Sequence, residues 1–156
     1  MPDNAIGSST RSPVAPERPL LMSLRPRFAH AILNGEKTVE LRRIRVSAPP
    51  GTTIIIYAST PIMSVVGVAT LAAVDIARPA TLWRKHRTRL GLTRSEFYEY
   101  LVGMEFGCAL SIANLQTLPD PYTLAWLRAH ARFQPPQSYR FLSDNDPEPL
   151  HALSTR

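Results

Sequence analysis

Apolar residues fall in short blocks along the chain, and the changes in their spacing predict the order of elements. Residues 1–18 hold scattered Ser, Thr and Pro without an apolar block. Such a stretch cannot bury enough surface to order itself and predicts a flexible N-terminal tail. The fold is expected to begin at Pro19, where Leu20-Leu21-Met22-Ser23-Leu24 reads as a short buried strand. Pro26 then suits a helix start, because its missing N–H would lack a partner there anyway. Phe28, Ala29, Ile32 and Leu33 line one face of that helix, and Asn34-Gly35 closes it. From Glu36 the period drops to two: Val39 and Leu41 point one way, Thr38, Glu40 and Arg42 the other. Lys37 has the opposite parity and joins Glu40 and Arg42 only if the chain bends after Gly35.

The β-branched run Thr52 to Tyr57 predicts a strand buried on both faces, and a second long strand follows Thr60-Pro61, bent at Gly67. Pro79 opens a helix expected to run to Gly91. Thr93 caps the next, with Glu96 in capping-box spacing. Phe106 to Leu118 reads as a strand that Pro119 and Pro121 break, and Tyr122 to Ala131 as a short helix. Gln134 to Leu142 leads into a last strand, leaving 143–156 as a polar C-terminal tail. The expected fold is α+β, a small mixed β-barrel with helices packed around it, formed by residues 19–142.

Composition changes this picture in one respect. Eighteen Lys and Arg against twelve Asp and Glu give a net charge of +6, which attracts polyanions such as nucleic acid. The lone Cys108 excludes an internal disulfide and a cysteine-based zinc cluster, and its neighbours predict a small buried hydrophobe. The four histidines lack ligand spacing, so neither a metal nor a cofactor is expected. No apolar run reaches the roughly 18 residues of a membrane span, and the first residues lack the apolar stretch of a secretory signal. A cytoplasmic protein without a membrane partner is the expectation.

Gly35-Glu36-Lys37-Thr38-Val39-Glu40-Leu41-Arg42 resembles the G-x-K-x-x-E-x-R signature of ASCH domains, in the PUA-like superfamily. The preceding helix (SLRPRFAHAILNG), the strands IIIYAST and VVGVATL, and the terminal PPQSYRFL are similar to the same family, so the likeness spans residues 19–142. It implies a β-barrel with a cleft between barrel and helices where the motif side chains gather. It also implies RNA binding. Some members act as transcriptional coactivator modules, some bacterial relatives cut single-stranded RNA, and others resemble amidohydrolases that deacetylate N4-acetylcytidine.

Lys37 can neutralise a phosphate as a point charge and Arg42 can grip one with two parallel hydrogen bonds. Glu40 can orient Arg42 or act as a general base. From alternation alone, these residues also fit an ion-pair ladder on a solvated strand. Arg43 adjoins them, and Tyr57 and Ser59 end a strand beside the expected cleft. Gln137, Ser138, Tyr139 and Arg140 also stand to reach it. Arg84, Lys85 and Arg87 flank Trp83 in a stretch without acidic residues, fitting phosphate contacts beside a stacking ring or a solvated face above a core tryptophan. The leading expectation is a module holding single-stranded RNA. A metal-independent ribonuclease using Lys37 and Glu40 stays open, as does a domain recruiting a protein partner. The amidohydrolase pattern needs K-x-x-T, and Glu40 stands at its threonine, which weighs against deacetylation.

Overall fold

The structure, a computed structural model, describes residues 18–154. Apart from Arg18, the expected N-terminal tail lies outside the described residues. The elements run β1 (Leu20–Leu24), α1 (Pro26–Leu33), β2 (Val39–Arg42), β3 (Thr53–Ala58), β4 (Ser64–Ala77), α2 (Pro79–His86), α3 (Arg94–Tyr100), β5 (Gly107–Thr123), α4 (Leu124–His130), β6 (Tyr139–Phe141) and α5 (Glu148–His151). The strands form one mixed sheet in the order β2-β5-β4-β3-β1-β6. β1 and β3 run parallel, and the other pairings are antiparallel.

Alternation along the strands divides the core. Leu20, Met22, Leu24, Ile54 and Ile56 face one cluster, which α1 covers with Ala29 and Ile32. Leu21, Ile55 and Tyr57 face the other way, under Leu124 and Leu127 of α4. Val39 and Leu41 lie beneath α2 and α3, against Leu82, Leu90 and Phe97. Both faces of the central strands are thus buried, as their β-branched run predicts. The sheet curls into a half-barrel, so that its two edges approach one another: Arg42 of β2 donates to Ser23 of β1, and the Tyr139 hydroxyl of β6 reaches the Arg45 carbonyl at 3.1 Å.

Three segments depart from expectation. β5 continues through Pro119 and Pro121 instead of breaking before them. Its pairing with β4 passes from Tyr122↔Val65 to Thr117↔Gly67, so four residues of β5 face one of β4. Inside that bulge no ladder N–H is required, which is why two prolines fit mid-strand. The helix from Pro79 ends at His86 instead of Gly91, because the next turn serves as a docking site. The Arg89 carbonyl accepts from the Thr38 and Val39 amides, each at 3.0 Å. Residues 143–154, expected as a polar tail, contain α5. Leu150 is buried in the α4 cluster, and the enclosed Asp146 carboxylate meets Arg140 at 2.7 and 2.9 Å. Arg140 is therefore directed to this pair.

Candidate nucleic-acid cleft

The signature residues form a clasp across the opening of the half-barrel. Gly35, at φ 84°, ends α1. Lys37 lies ahead of β2, so strand parity does not govern it. Its stem packs on Gly91, where an added Cβ would sit 3.3 Å from the Lys37 Cβ. The ammonium donates to the Leu90 carbonyl at 2.5 Å, lies 3.2 Å from Glu40 Oε1, and sits 5.2 Å above the Phe28 ring. The second Glu40 oxygen is 2.8 Å from Arg42 Nε, an ion contact in which the N–H is not aimed at the oxygen. One terminal nitrogen of Arg42 donates to Ser138 Oγ at 2.9 Å and the other to the Ser23 carbonyl at 3.0 Å. Ser23 Oγ in turn donates to the Pro136 carbonyl at 2.6 Å.

Lys37, Glu40 and Arg42 are 2%, 6% and 8% exposed. Burial lowers the Lys37 pKa, while the Glu40 charge acts in the opposite direction. At an effective dielectric of about 20, two charges this close attract by ~5 kcal/mol. Desolvating each ion costs several kcal/mol. The two effects are comparable, so the clasp fixes position more than it adds net stability. It also spends the strongest donors of the motif internally, leaving one uncompensated positive charge at the cleft floor.

The cleft beside this clasp has a volume of about 790 Å³. Its walls come from the ends of β1 and β3, the first turn of α1, one side of α3, the start of α4 and the 134–137 segment. Five cationic side chains (Arg25, Arg27, Lys37, Arg42 and Arg128) line it against three carboxylates (Glu40, Glu96 and Glu99). Arg27 is tied to Glu96 at 2.5 and 3.0 Å. That contact, with the Thr93 amide of the capping box, holds the Glu96 pKa down at about 2. Tyr57 is 3% exposed, yet its ring lines the cleft and its hydroxyl has no hydrogen-bond partner among the described residues. Burial raises its pKa against the pull of Arg128, so the phenol stays a neutral donor. Tyr100 is more open and offers an aromatic face at the rim.

Of the residues singled out from sequence, Lys37, Glu40, Arg42, Tyr57, Ser59 and Gln137 line the cleft, and Ser138 anchors Arg42. Arg43 is exposed just outside it. Arg84, Lys85 and Arg87 lie on a separate surface at α2, where Lys85 pairs with Asp75 at 2.9 Å. The Trp83 ring turns toward Phe97 (5.2 Å) and Tyr98 (6.4 Å) instead of standing free for a base. Sequence reasoning missed Arg25, Tyr100 and Arg128. Each comes from a different element, and no local pattern marks them.

A family model described as "Domain of unknown function (DUF365)" matches residues 20–127. An ASCH domain-containing ribonuclease from Zymomonas mobilis subsp. mobilis is 36% identical over 138 residues, covering 87% of this chain and 92% of that protein. The chain belongs to the ASCH family. The crystal structure of ASCH from Zymomonas mobilis is similar at a TM-score of 0.76 and 34% identity, over 81% of this chain and 89% of that one. Two variants of that ASCH protein have also been solved, one with a tyrosine changed to phenylalanine and one with a serine changed to alanine. They match at TM-scores of 0.76 and 0.75, with 33% and 35% identity. The first covers 82% of this chain and 92% of the other, the second 84% and 93%. The half-barrel and its helices are thus the ASCH architecture.

Proposed function

We propose that this ASCH protein binds single-stranded RNA in the cleft and cleaves its backbone. One observation carries the reading: a cation-rich cleft, with a neutral unbonded phenol in its wall, on a chain similar to a named ribonuclease over nearly its whole length. A cleft of this size, entered between helices and loops, suits a flexible strand better than a rigid duplex. Tyr100 offers a surface on which a base can stack.

Cleavage without a bound metal proceeds by attack of a ribose 2′-oxygen on the adjacent phosphorus. A base takes the 2′-proton, the P–O5′ bond breaks, and an acid protonates the departing 5′-oxygen. Tyr57 is assigned the acid role on position: it lines the cleft, its hydroxyl has no other partner among the described residues, and it holds its proton at neutral pH. The separation along the chain between the two substituted positions of the Zymomonas variants equals that between Tyr57 and Ser138 here, which supports placing both at the reaction centre. The floor charge from Lys37, Glu40 and Arg42 stabilises the crowded dianionic phosphorane. In this reading Lys37 and Glu40 are positioning residues that hold Arg42. The 2′-proton then goes to Glu99, the cleft carboxylate without an ion-pair partner among the described residues. Arg84 and Arg87 add contacts to a longer strand, and Arg43 extends the positive rim.

Incubation of labelled single-stranded RNA with the protein and a metal chelator tests the proposal. The expected result is cleavage leaving a 2′,3′-cyclic or 3′-phosphate, lost in Tyr57→Phe and strongly reduced in Glu99→Gln. Intact RNA at saturating protein would reduce the function to binding.

A further inference from the structure

With the clasp donors spent on Leu90, Ser23 and Ser138, the unspent hydrogen-bonding capacity of the cleft gathers elsewhere, at the carboxyl ends of β1 and β3. This is the one parallel strand pair among the described residues. Ser23 pairs with Tyr57 and Leu24 with Ala58, so Arg25 and Ser59 leave the sheet side by side. The Ser59 amide donates to the Leu24 carbonyl at 2.9 Å and ties them together. α1 begins at that point, capped by Arg25 without a side-chain cap and with no acidic residue in its first turn. The Phe28 and Ala29 amides both donate back to the Arg25 carbonyl at 2.9 Å. Pro26 has no N–H, so the Arg27 amide is the first-turn donor with no acceptor among the described residues. The Arg25 guanidinium and the Ser59 hydroxyl also lack partners among them, and both line the cleft. A second observation, independent of the helix end, is Tyr57: nine-tenths buried, one strand position before Ser59, with its hydroxyl unbonded at the same cleft wall.

We propose that these groups form an anion subsite that takes one phosphodiester of the bound RNA. The Arg27 amide and the Ser59 hydroxyl donate to its two non-bridging oxygens, and the Tyr57 hydroxyl beside them is left for the bridging 5′-oxygen. The Arg25 guanidinium and the positive end of α1 balance its single charge. The Arg27 side chain, held by Glu96, fixes the first turn so that its amide faces the cleft. The clasp then sets the distance between the two sheet edges and supplies its net positive charge from the floor, while the hydrogen bonds to the phosphate come from the β1–β3 side. This inference rests on the RNA reading, and one experiment separates the two.

Backbone amide NMR of the full chain is followed first with inorganic phosphate and then with a single-stranded 2′-O-methyl oligonucleotide, which cannot be cleaved. The expected result is saturable shifts at the Arg27 and Ser59 amides with both probes. Arg25→Gln, with an unchanged melting temperature, should weaken oligonucleotide binding about tenfold and reduce the slope of log affinity against log salt by about 0.7. Ser59→Ala should give a smaller loss in the same direction. Oligonucleotide binding that leaves the Arg27 amide unmoved, or survives Arg25→Gln with its salt slope intact, overturns the subsite and leaves the RNA reading standing. Saturable phosphate binding at Arg27 without any oligonucleotide binding does the reverse.

Discussion

Replacing Glu40 by Gln keeps the shape of the clasp and removes the one negative charge between two buried cations. Lys37 retains the Leu90 carbonyl, and Arg42 retains Ser23 and Ser138. Neither retains a counter-charge within the clasp. Removing one partner of a buried pair costs about 3–5 kcal/mol, because the other charge stays buried. That is a large share of the roughly 5–15 kcal/mol that holds a domain folded. At about 2–4 °C per kcal/mol for a chain of this size, melting should fall by ~10 °C. A pH series identifies the cause. The Lys37 pKa is already lowered by burial, and Glu40 is the largest influence raising it. Without Glu40, Lys37 gives up its proton at lower pH, and a neutral lysine needs no counter-charge. The deficit of Glu40→Gln should therefore narrow as pH rises toward that of an unfolded lysine. Urea denaturation between pH 6 and 10 supplies both numbers, and Lys37→Met in the Glu40→Gln background should recover part of the loss. A Glu40→Gln variant within about 0.5 kcal/mol of wild type at pH 7, an ordinary surface-site effect, would refute the description of the clasp as a buried, interdependent charge chain.

Four further outcomes test other parts of the structure. Gly91 sits at φ 67° against the Lys37 stem, so Gly91→Ala should destabilise by about 1–3 kcal/mol through a strained left-handed backbone and lower RNA binding as Lys37 shifts; equal melting temperatures would contradict this. Glu96 has its pKa held down at about 2, so its contribution is present above the ordinary value of 4.5 and lost as pH falls from there toward 2; acid unfolding of Glu96→Gln should lack that component. Thr93→Ala, which removes the other half of the capping box, should cost about 1 kcal/mol in denaturant titrations. Arg84→Ala with Arg87→Ala should leave cleavage of a short RNA unchanged while weakening binding of a long one, measured by anisotropy at two salt concentrations.

Much of the fold was legible because its signals are local. The period-two alternation of Val39 to Arg42, the Thr93 capping box and the β-branched run before Tyr57 each specify their element without a partner. The prolines of β5 mislead because their tolerance depends on β4: only the pairing across the sheet shows that four residues bulge past one. Lys37 defeated the parity argument for the opposite reason, since it lies outside the strand whose period was applied to it. Asp146, in a stretch that reads as polar tail, is buried because Arg140 meets it, a pairing no composition reveals. The cleft was half visible. Its floor carries the family signature, but Arg25, Tyr100 and Arg128 come from three helices or their caps and meet only when the chain has folded. Arg25 carries no signal of its own ahead of Pro26, although its place at the helix start leaves that end open toward the cleft.

The central claim is that RNA occupies this cleft. Cross-linking of a photoreactive single-stranded RNA, followed by mapping of the attached peptides at low and moderate salt, tests it most directly. Adducts are expected on Ser23–Phe28, Tyr57–Thr60 and Gln134–Gln137, weakening as salt rises. Adducts confined to α2, or a yield indifferent to salt, would contradict it.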